Sequence, residues 1–396
     1  MKETFSQLLQ LDRDFVLPTY GRELMLVRGE GAWVWDYYGN KYLDFGMGIS
    51  VCNLGHCHPG VVQAITEQAG RLMHCSNLYH NEHQARLAAT IAGLSFGGKV
   101  FFCNSGAEAN EGMIKFARRW GSRNGERSEI ICASNCFHGR TLATLAATAN
   151  TKYREGFAPD MGGFVFAEYN NLDAVRNAIT ANTVAVMVEP VQGEGGVHMA
   201  SKEFMQGLRQ LCDEKNLLLL LDEVQSGMGR CGHYFAYQEF DIVPDAMSMA
   251  KALGNGFPMG AFTIRSEYGS LFAPGVHGST FGGTPLACAA SLAVFRAMEE
   301  EKVIDNVRQM SQCLLTKLNE LKQEFPLIKE VRGMGLLIGV QIGDKVKELQ
   351  AACQKQHLLV LTAGGGVLRL LPPLKVSKDE IDLACQRLRE ALSSLV

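Results

Sequence analysis

The sequence predicts an α/β protein built on a mostly parallel sheet, with a smaller α+β region beside it, and three observations carry that prediction. Short, nearly continuous apolar runs recur at 100–103, 130–133, 184–188, 217–221 and 246–249. Unbroken apolar runs mark strands covered on both faces, and the helical stretches between them supply the covering layers. Polar residues follow four of these runs: Asn104 and Ser105, then Glu189, Asp222 and Lys251. Polar groups at the carboxyl ends of parallel strands converge on one crevice, where open α/β sheets bind ligands. Finally, the chain has 396 residues, too many for one small core, and its character changes towards both ends.

The elements follow in order. Residues 31–46, GAWVWDYYGNKYLDFG, predict two short strands about a Gly39–Asn40 turn. From 51 to 290 the alternation of strands and helices defines a large domain. Beyond about 296 the chain is more charged. An amphipathic helix over 300–324 leads to a strand in VRGMGLLIGVQI, and a last helix starts near Ser377, with Glu380 at capping-box spacing. The expected division is a large domain at 51–290 and a small C-terminal domain at 291–396, with residues 1–50 contributing to the small one.

Composition excludes several classes. Hydrophobic residues make up 47% and charged residues 20%, as in an ordinary globular enzyme. A net charge of −3 gives no basic footprint for nucleic acid. The N-terminus carries charges throughout and no long apolar core, and the leucine run 217–221 is too short to span a bilayer. With 12 scattered cysteines and no secretory segment, a cytoplasmic protein with reduced thiols is expected.

Lys251 raises the sharpest question, because an ammonium at the end of a buried strand is costly unless it is paired or chemically used. Ser105 and Glu108 have capping-box spacing, so a helix begins directly after a strand. Gly106 and Ala107 leave its first amides uncovered, which makes either a phosphate site or simply a well-capped helix. Asp222 emerges from five leucines and needs a cation or several donors; a metal is disfavoured because no ligand set of suitable spacing follows. Gly227, Gly229 and Gly232 fit G-x-G-x-x-G, but five residues separate them from their strand and no clear helix start follows. A nicotinamide site is therefore rejected. A desolvated lysine is a nucleophile for carbonyls and forms Schiff bases. Lysine, strand-end aspartate and phosphate-cradling helix start are together what pyridoxal phosphate demands: lysine for the aldehyde, aspartate for the ring nitrogen, helix for the phosphate.

The chain resembles the class III (subgroup III) aminotransferases of pyridoxal-phosphate fold type I, most of all their acetylornithine branch. The resemblance runs through WDYYGNKYLDFGMGISVCNLGHCHP, FFCNSGAEANEGMIKFAR, NCFHGRTLATLAAT, VMVEPVQGEGGV, LLLLLDEVQSGMGRCG, AKALGNGFPMGA, HGSTFGGTPLAC and VRGMGLLIGV. It implies a large domain with a mostly parallel seven-stranded sheet, a smaller α+β domain, and pyridoxal 5'-phosphate as cofactor. It also implies that Lys251 and Asp222 are catalytic. Ser105, Gly106 and Ala107 would hold the phosphate, and Phe137 would stack on the ring. The stretch Asp222, Glu223, Val224 and Gln225 would line the ring, with Gln225 beside its hydroxyl. Thr280 would reach the phosphate of the neighbouring subunit, making the active unit a homodimer with shared sites. His56, Cys57 and His58 in GHCHP would be structural, near the dimer interface, with no metal.

For substrate, the resemblance gives Arg140 the α-carboxylate of an N-acylated donor, with Ser279 contacting it from the partner. Arg369 would grip the carboxylate of 2-oxoglutarate, and Glu194 would mask Arg369 while an ω-amine reacts. Ile49 stands where ornithine aminotransferases place a tyrosine, which argues against free ornithine; Tyr20 would line the same entrance. Asn255 replaces a usual glycine and Thr284 a usual asparagine, and the acyl preference stays open. The expected reaction moves the δ-amine of an acetylated ornithine to 2-oxoglutarate. Alternatives are another ω-amine donor (succinylornithine, succinyldiaminopimelate, 4-aminobutyrate or a lysine-pathway substrate) or an aminomutase.

Overall fold

The computed structural model describes residues 4–395. The apolar runs form one sheet of seven strands, in the order Lys99–Cys103, Gly260–Ile264, Ala246–Met249, Leu218–Asp222, Thr183–Val188, Glu129–Ala133 and Phe164–Ala167. Gly260–Ile264 runs antiparallel to both neighbours; every other pairing is parallel. Two of the seven strands lie outside the five runs named above. Phe164–Ala167 is a half-buried edge strand, and Gly260–Ile264 follows a glycine-rich loop.

The period-two geometry of a strand explains why the central runs are apolar throughout. Leu218 and Leu220 face a cluster built on Met113, Phe116 and Ala117 of the helix Gly106–Ser122. Leu219 and Leu221 face the opposite cluster, with Phe204, Met205 and Leu208 of the helix Lys202–Lys215. Both faces are buried, so neither set of alternate positions tolerates a polar residue.

The strands Leu26–Glu30, Trp33–Asp36 and Lys41–Asp44 share a sheet with Leu358–Leu359, so residues near the N-terminus pair with residues near the C-terminus. Val303–Glu324 and Lys378–Ser393 are helices as expected, the latter with a reciprocal Ser377–Glu380 capping box. VRGMGLLIGVQI is two strands rather than one. Glu330–Met334 and Leu337–Gln341 form a hairpin about Gly335, whose φ of 57° favours glycine and whose close approach to Arg230 O (2.5 Å from a built Cβ) requires it.

A rarer feature lies at Met47–Ser50. Met47, Gly48, Ile49 and Ser50 all have left-handed φ, between 46° and 65°. Three of the four are not glycine, and each such residue costs on the order of 1–2 kcal/mol. The turn is held from outside. Asp44 Oδ1 accepts from Gly46 N and Met47 N, and Arg230 Nε donates to Ser50 Oγ at 2.9 Å. Arg230 is fully buried and also donates to Asn53 Oδ1, Leu336 O and Pro372 O. It makes no ion pair among the described residues, and burial lowers its pKa to about 9.

Candidate active site

The strand ends converge on a cavity of about 450 Å³. Lys251 lies two residues beyond the strand Ala246–Met249, has a left-handed φ of 48°, and lines this cavity. Burial pulls its pKa down to about 8, while Glu194 opposes the shift and Arg369 adds to it. An amine held near 8 is uncharged in about one molecule in ten at pH 7, far more often than an ordinary lysine, and the uncharged state is the one in which nitrogen attacks a carbonyl.

Asp222 faces Lys251 across the same cavity and is clamped from behind. Its Oδ2 accepts from Asn110 Nδ2 at 2.7 Å and lies 2.8 Å from His138 Nδ1; its Oδ1 accepts from Val224 N at 3.0 Å. His138 is buried completely. Burial opposes its protonation, yet Cys136 and the bonded Asp222 carboxylate hold its pKa well above the ordinary value. Asn110 also donates to His138 O, so three side chains form one unit. Neither Asn110 nor His138 stood out in the sequence. His138 sits inside NCFHGR and Asn110 at the sixth position after Asn104, where only the position of Asp222 in space gives them meaning.

The helix Gly106–Ser122 begins at the cavity, with Ser105 Oγ accepting from Glu108 N at 3.2 Å. The Glu108 carboxylate returns to Asn104 N rather than to Ser105 N, one residue short of a reciprocal capping box. Gly106 is required sterically: a Cβ there would lie 2.7 Å from Val224 Cγ1. Ser105, Gly106, Ala107, Phe137, Val224, Gln225 and Arg140 all line the cavity.

Arg369 and Glu194 meet just beyond it. Arg369 Nη1 donates to Glu194 Oε1 at 2.7 Å and to Gln225 Oε1 at 2.8 Å. Arg369 is 2% exposed. Despite burial, the Arg369 charge holds the Glu194 carboxyl below its usual range. Glu189, at another strand end, accepts from Phe137 N at 3.1 Å, and burial pushes it up to about 8.

Other expected residues lie apart. Glu223 was expected to line the ring, but it turns the other way: its oxygens accept from Ala236 N, Tyr237 N and Ser226 Oγ, and it does not reach the cavity. The physical reason is strand alternation, which sends consecutive side chains to opposite faces. Ser279 and Thr280 do not line the cavity of their own chain; Ser279 Oγ accepts from Asn104 Nδ2 at 3.3 Å and Thr280 is exposed. Ile49 is 41% exposed on the left-handed turn, and Tyr20 is 75% exposed. His56 pairs with Asp44 and His58 with Glu301, each at under 3 Å, and Cys57 is an exposed thiol. Asn255 bonds Leu54 N and Gly55 O, and Thr284 bonds Met73 O.

The residues present fit pyridoxal phosphate. Asn110 Oδ1, His138 Nε2 and Arg369 Nε are buried polar atoms without partners among the described residues. An uncovered helix start suits a phosphate, and a clamped acid opposite a low-pKa lysine suits a protonated ring nitrogen and an aldehyde.

Fold and site together place the chain among the pyridoxal-phosphate transferases of fold type I. Within them it belongs to the class-III aminotransferases, whose family pattern matches residues 18–392. It is 45% identical over 392 residues to the acetylornithine aminotransferase of Caldanaerobacter subterraneus subsp. tengcongensis, covering 98% of this chain and 100% of that one. Among solved structures, it is similar to the ornithine aminotransferase of Toxoplasma gondii ME49 (TM-score 0.95, 32% identity, 100% of this chain and 96% of that one). It is similar also to the N-acetylornithine aminotransferase of Stenotrophomonas maltophilia K279a (TM-score 0.85, 36% identity, 98% of this chain and 99% of that one).

Proposed function

We propose that this chain is an acetylornithine aminotransferase. It moves the δ-amino group of N2-acetylornithine to 2-oxoglutarate, giving N-acetylglutamate 5-semialdehyde and glutamate for arginine biosynthesis. The closed Glu194–Arg369 pair beside Lys251 carries the reading. With Glu194 in place, Arg369 is neutralised and the cavity accepts an ω-amine that has no carboxylate on the reacting carbon. Withdrawal of Glu194 exposes the arginine to the α-carboxylate of a dicarboxylic acceptor. Identity of 45% to an acetylornithine enzyme over nearly the whole chain supports the donor. Ile49 supports it too, since it offers no hydroxyl to a free α-amine.

Lys251, Asp222, Phe137, Gln225 and the amides at Gly106 and Ala107 would hold the cofactor, which would supply an electron sink for negative charge at the substrate carbon. Asp222, fixed by His138 and Asn110, keeps a proton on the ring nitrogen. Lys251 Nζ takes up and returns the substrate proton. Arg140 holds the α-carboxylate of the donor.

The active unit in this proposal is a homodimer, with Ser279 and Thr280 serving the partner's cavity. Beside them Leu78, Tyr79 and Phe281 are 85%, 70% and 60% exposed, an apolar patch that a second copy would cover. The twelve cysteines are all free thiols, which supports a cytoplasmic setting; no helix among the described residues is long and apolar enough to cross a membrane.

The test supplies single amino donors with 2-oxoglutarate. N2-acetylornithine should exceed ornithine and 4-aminobutyrate in kcat/KM by about 100-fold or more, the range a recognised polar group can provide. Equal rates with 4-aminobutyrate would overturn the donor but not the class. Lys251→Ala should lose at least about 10³-fold in turnover while unfolding at the wild-type temperature. Turnover at the wild-type rate would remove the lysine from the mechanism.

A further inference from the structure

We propose that Tyr153 is a positioning residue that holds the Arg140 guanidinium ready for the donor carboxylate. The inference rests on reading Arg140 as the carboxylate grip.

Arg140 is exposed at the cavity wall, and among the described residues it makes no ion pair and no side-chain hydrogen bond. An unrestrained arginine there would lose much rotamer freedom on binding an anion. Its guanidinium instead lies over the Tyr153 ring, 3.7 Å from the centroid, and 5.5 Å from the centroid of Phe137. Phe137 and Tyr153 meet edge to face, with centroids 5.9 Å apart and planes at 89°. The two rings make a corner, and the guanidinium sits in it.

Stacking engages the face of the guanidinium and leaves its in-plane N–H donors free. A bidentate carboxylate grip needs those in-plane donors. An acidic residue could also fix Arg140, but it would occupy the same donors and cancel the charge that attracts the substrate. An aromatic ring orients the cation without competing for it. Tyr153 is itself fixed by a short helical turn, Thr151–Tyr153, in which Tyr153 N donates to Asn150 O at 3.1 Å and Asn150 caps Lys152 N. Its contact with Phe137 links the carboxylate grip to the residue expected to stack on the cofactor ring. The grip and the ring face are therefore set by one side chain from a segment, TKYREGF, that carries no recognisable motif.

The test uses N-acetyl-L-norvaline, which has the acetyl group and α-carboxylate of the donor but no δ-amine, so it binds without reacting. Calorimetric titration of the holoenzyme should show that Tyr153→Leu weakens binding about tenfold, the scale of a partly desolvated cation–π contact. Tyr153→Phe, which keeps the ring, should bind within about twofold of wild type. In turnover the loss should fall on the KM for N2-acetylornithine rather than on kcat. Arg140→Met should weaken the probe at least as much, and adding Tyr153→Leu to it should cost little more. If Arg140→Met binds the probe as wild type does, the reading of Arg140 itself fails. If Arg140→Met weakens binding but Tyr153→Leu does not, or if the two losses simply add, or if the loss appears in kcat, the positioning role is overturned while the function stands.

Discussion

Asp222 and Glu223 leave the end of one strand in opposite directions. They are adjacent, both acidic and almost equally buried, at 4% and 1% exposure. Asp222 is gripped mainly by side chains, Asn110 and His138, and its carboxylate looks into the cavity that holds Lys251. Glu223 is gripped by backbone, spanning Ala236 N and Tyr237 N, and burial pushes it up to about 7 although those N–H groups and Ser226 oppose the shift. The difference shows that burial of an acid says nothing about its use. Side-chain partners can be arranged around a ligand, whereas two backbone amides consume both oxygens and leave a structural brace.

That contrast can be broken or sharpened experimentally. The largest effect is expected for Asp222→Ala, which should lower turnover per folded molecule by about 10³-fold, the scale of one preorganised electrostatic group. His138→Leu removes one hydrogen bond to a buried carboxylate and should lower turnover by roughly 10- to 100-fold. Rescue of most of that loss by His138→Asn, another donor, would tie the effect to Asp222. Glu223→Ala should leave turnover per folded molecule within a few-fold of wild type, yet cost about 2–4 kcal/mol of stability at pH 5 in a urea titration, because two amides lose their acceptor. A turnover loss matching that of Asp222→Ala would erase the distinction. The smallest effect is on pH. The folded pKa of Glu223 is raised from 4.5 to about 7, so the folded state binds more protons than the unfolded chain between those values. Its contribution is therefore present below about pH 4.5 and lost as pH rises through about 7. The stability gap between wild type and Glu223→Ala should narrow between pH 5 and pH 8; a gap that widens would mean the carboxylate is ionised in the fold.

Much of this site was legible in the sequence because its anchors sit where regular structure ends. Apolar runs marked five of the seven strands, and the first or second residue after a run gave Ser105, Asp222 and Lys251. The Glu194–Arg369 pairing came from resemblance, not from spacing, since 175 residues separate the partners. His138, Asn110 and Tyr153 were missed because each matters only through a neighbour distant in sequence. Glu223 was over-read because a doublet of acids carries no sign of which face each one takes. The hairpin at 330–341 was read as one strand because glycines at 333, 335 and 339 mask the single turn that Gly335 makes.

The left-handed turn at Met47–Ser50 has a consequence for when the protein is finished. Its strain is contained partly by Arg230, whose other bonds go to Leu336 O and Pro372 O. During synthesis these acceptors appear only 106 and 142 residues after Arg230 itself. Until then Arg230 lacks two of its four acceptors, and the clamp on Ser50, next to the cavity-lining Val51, is incomplete. The doorway to the reaction thus depends on contacts supplied by residues that follow it much later in the chain.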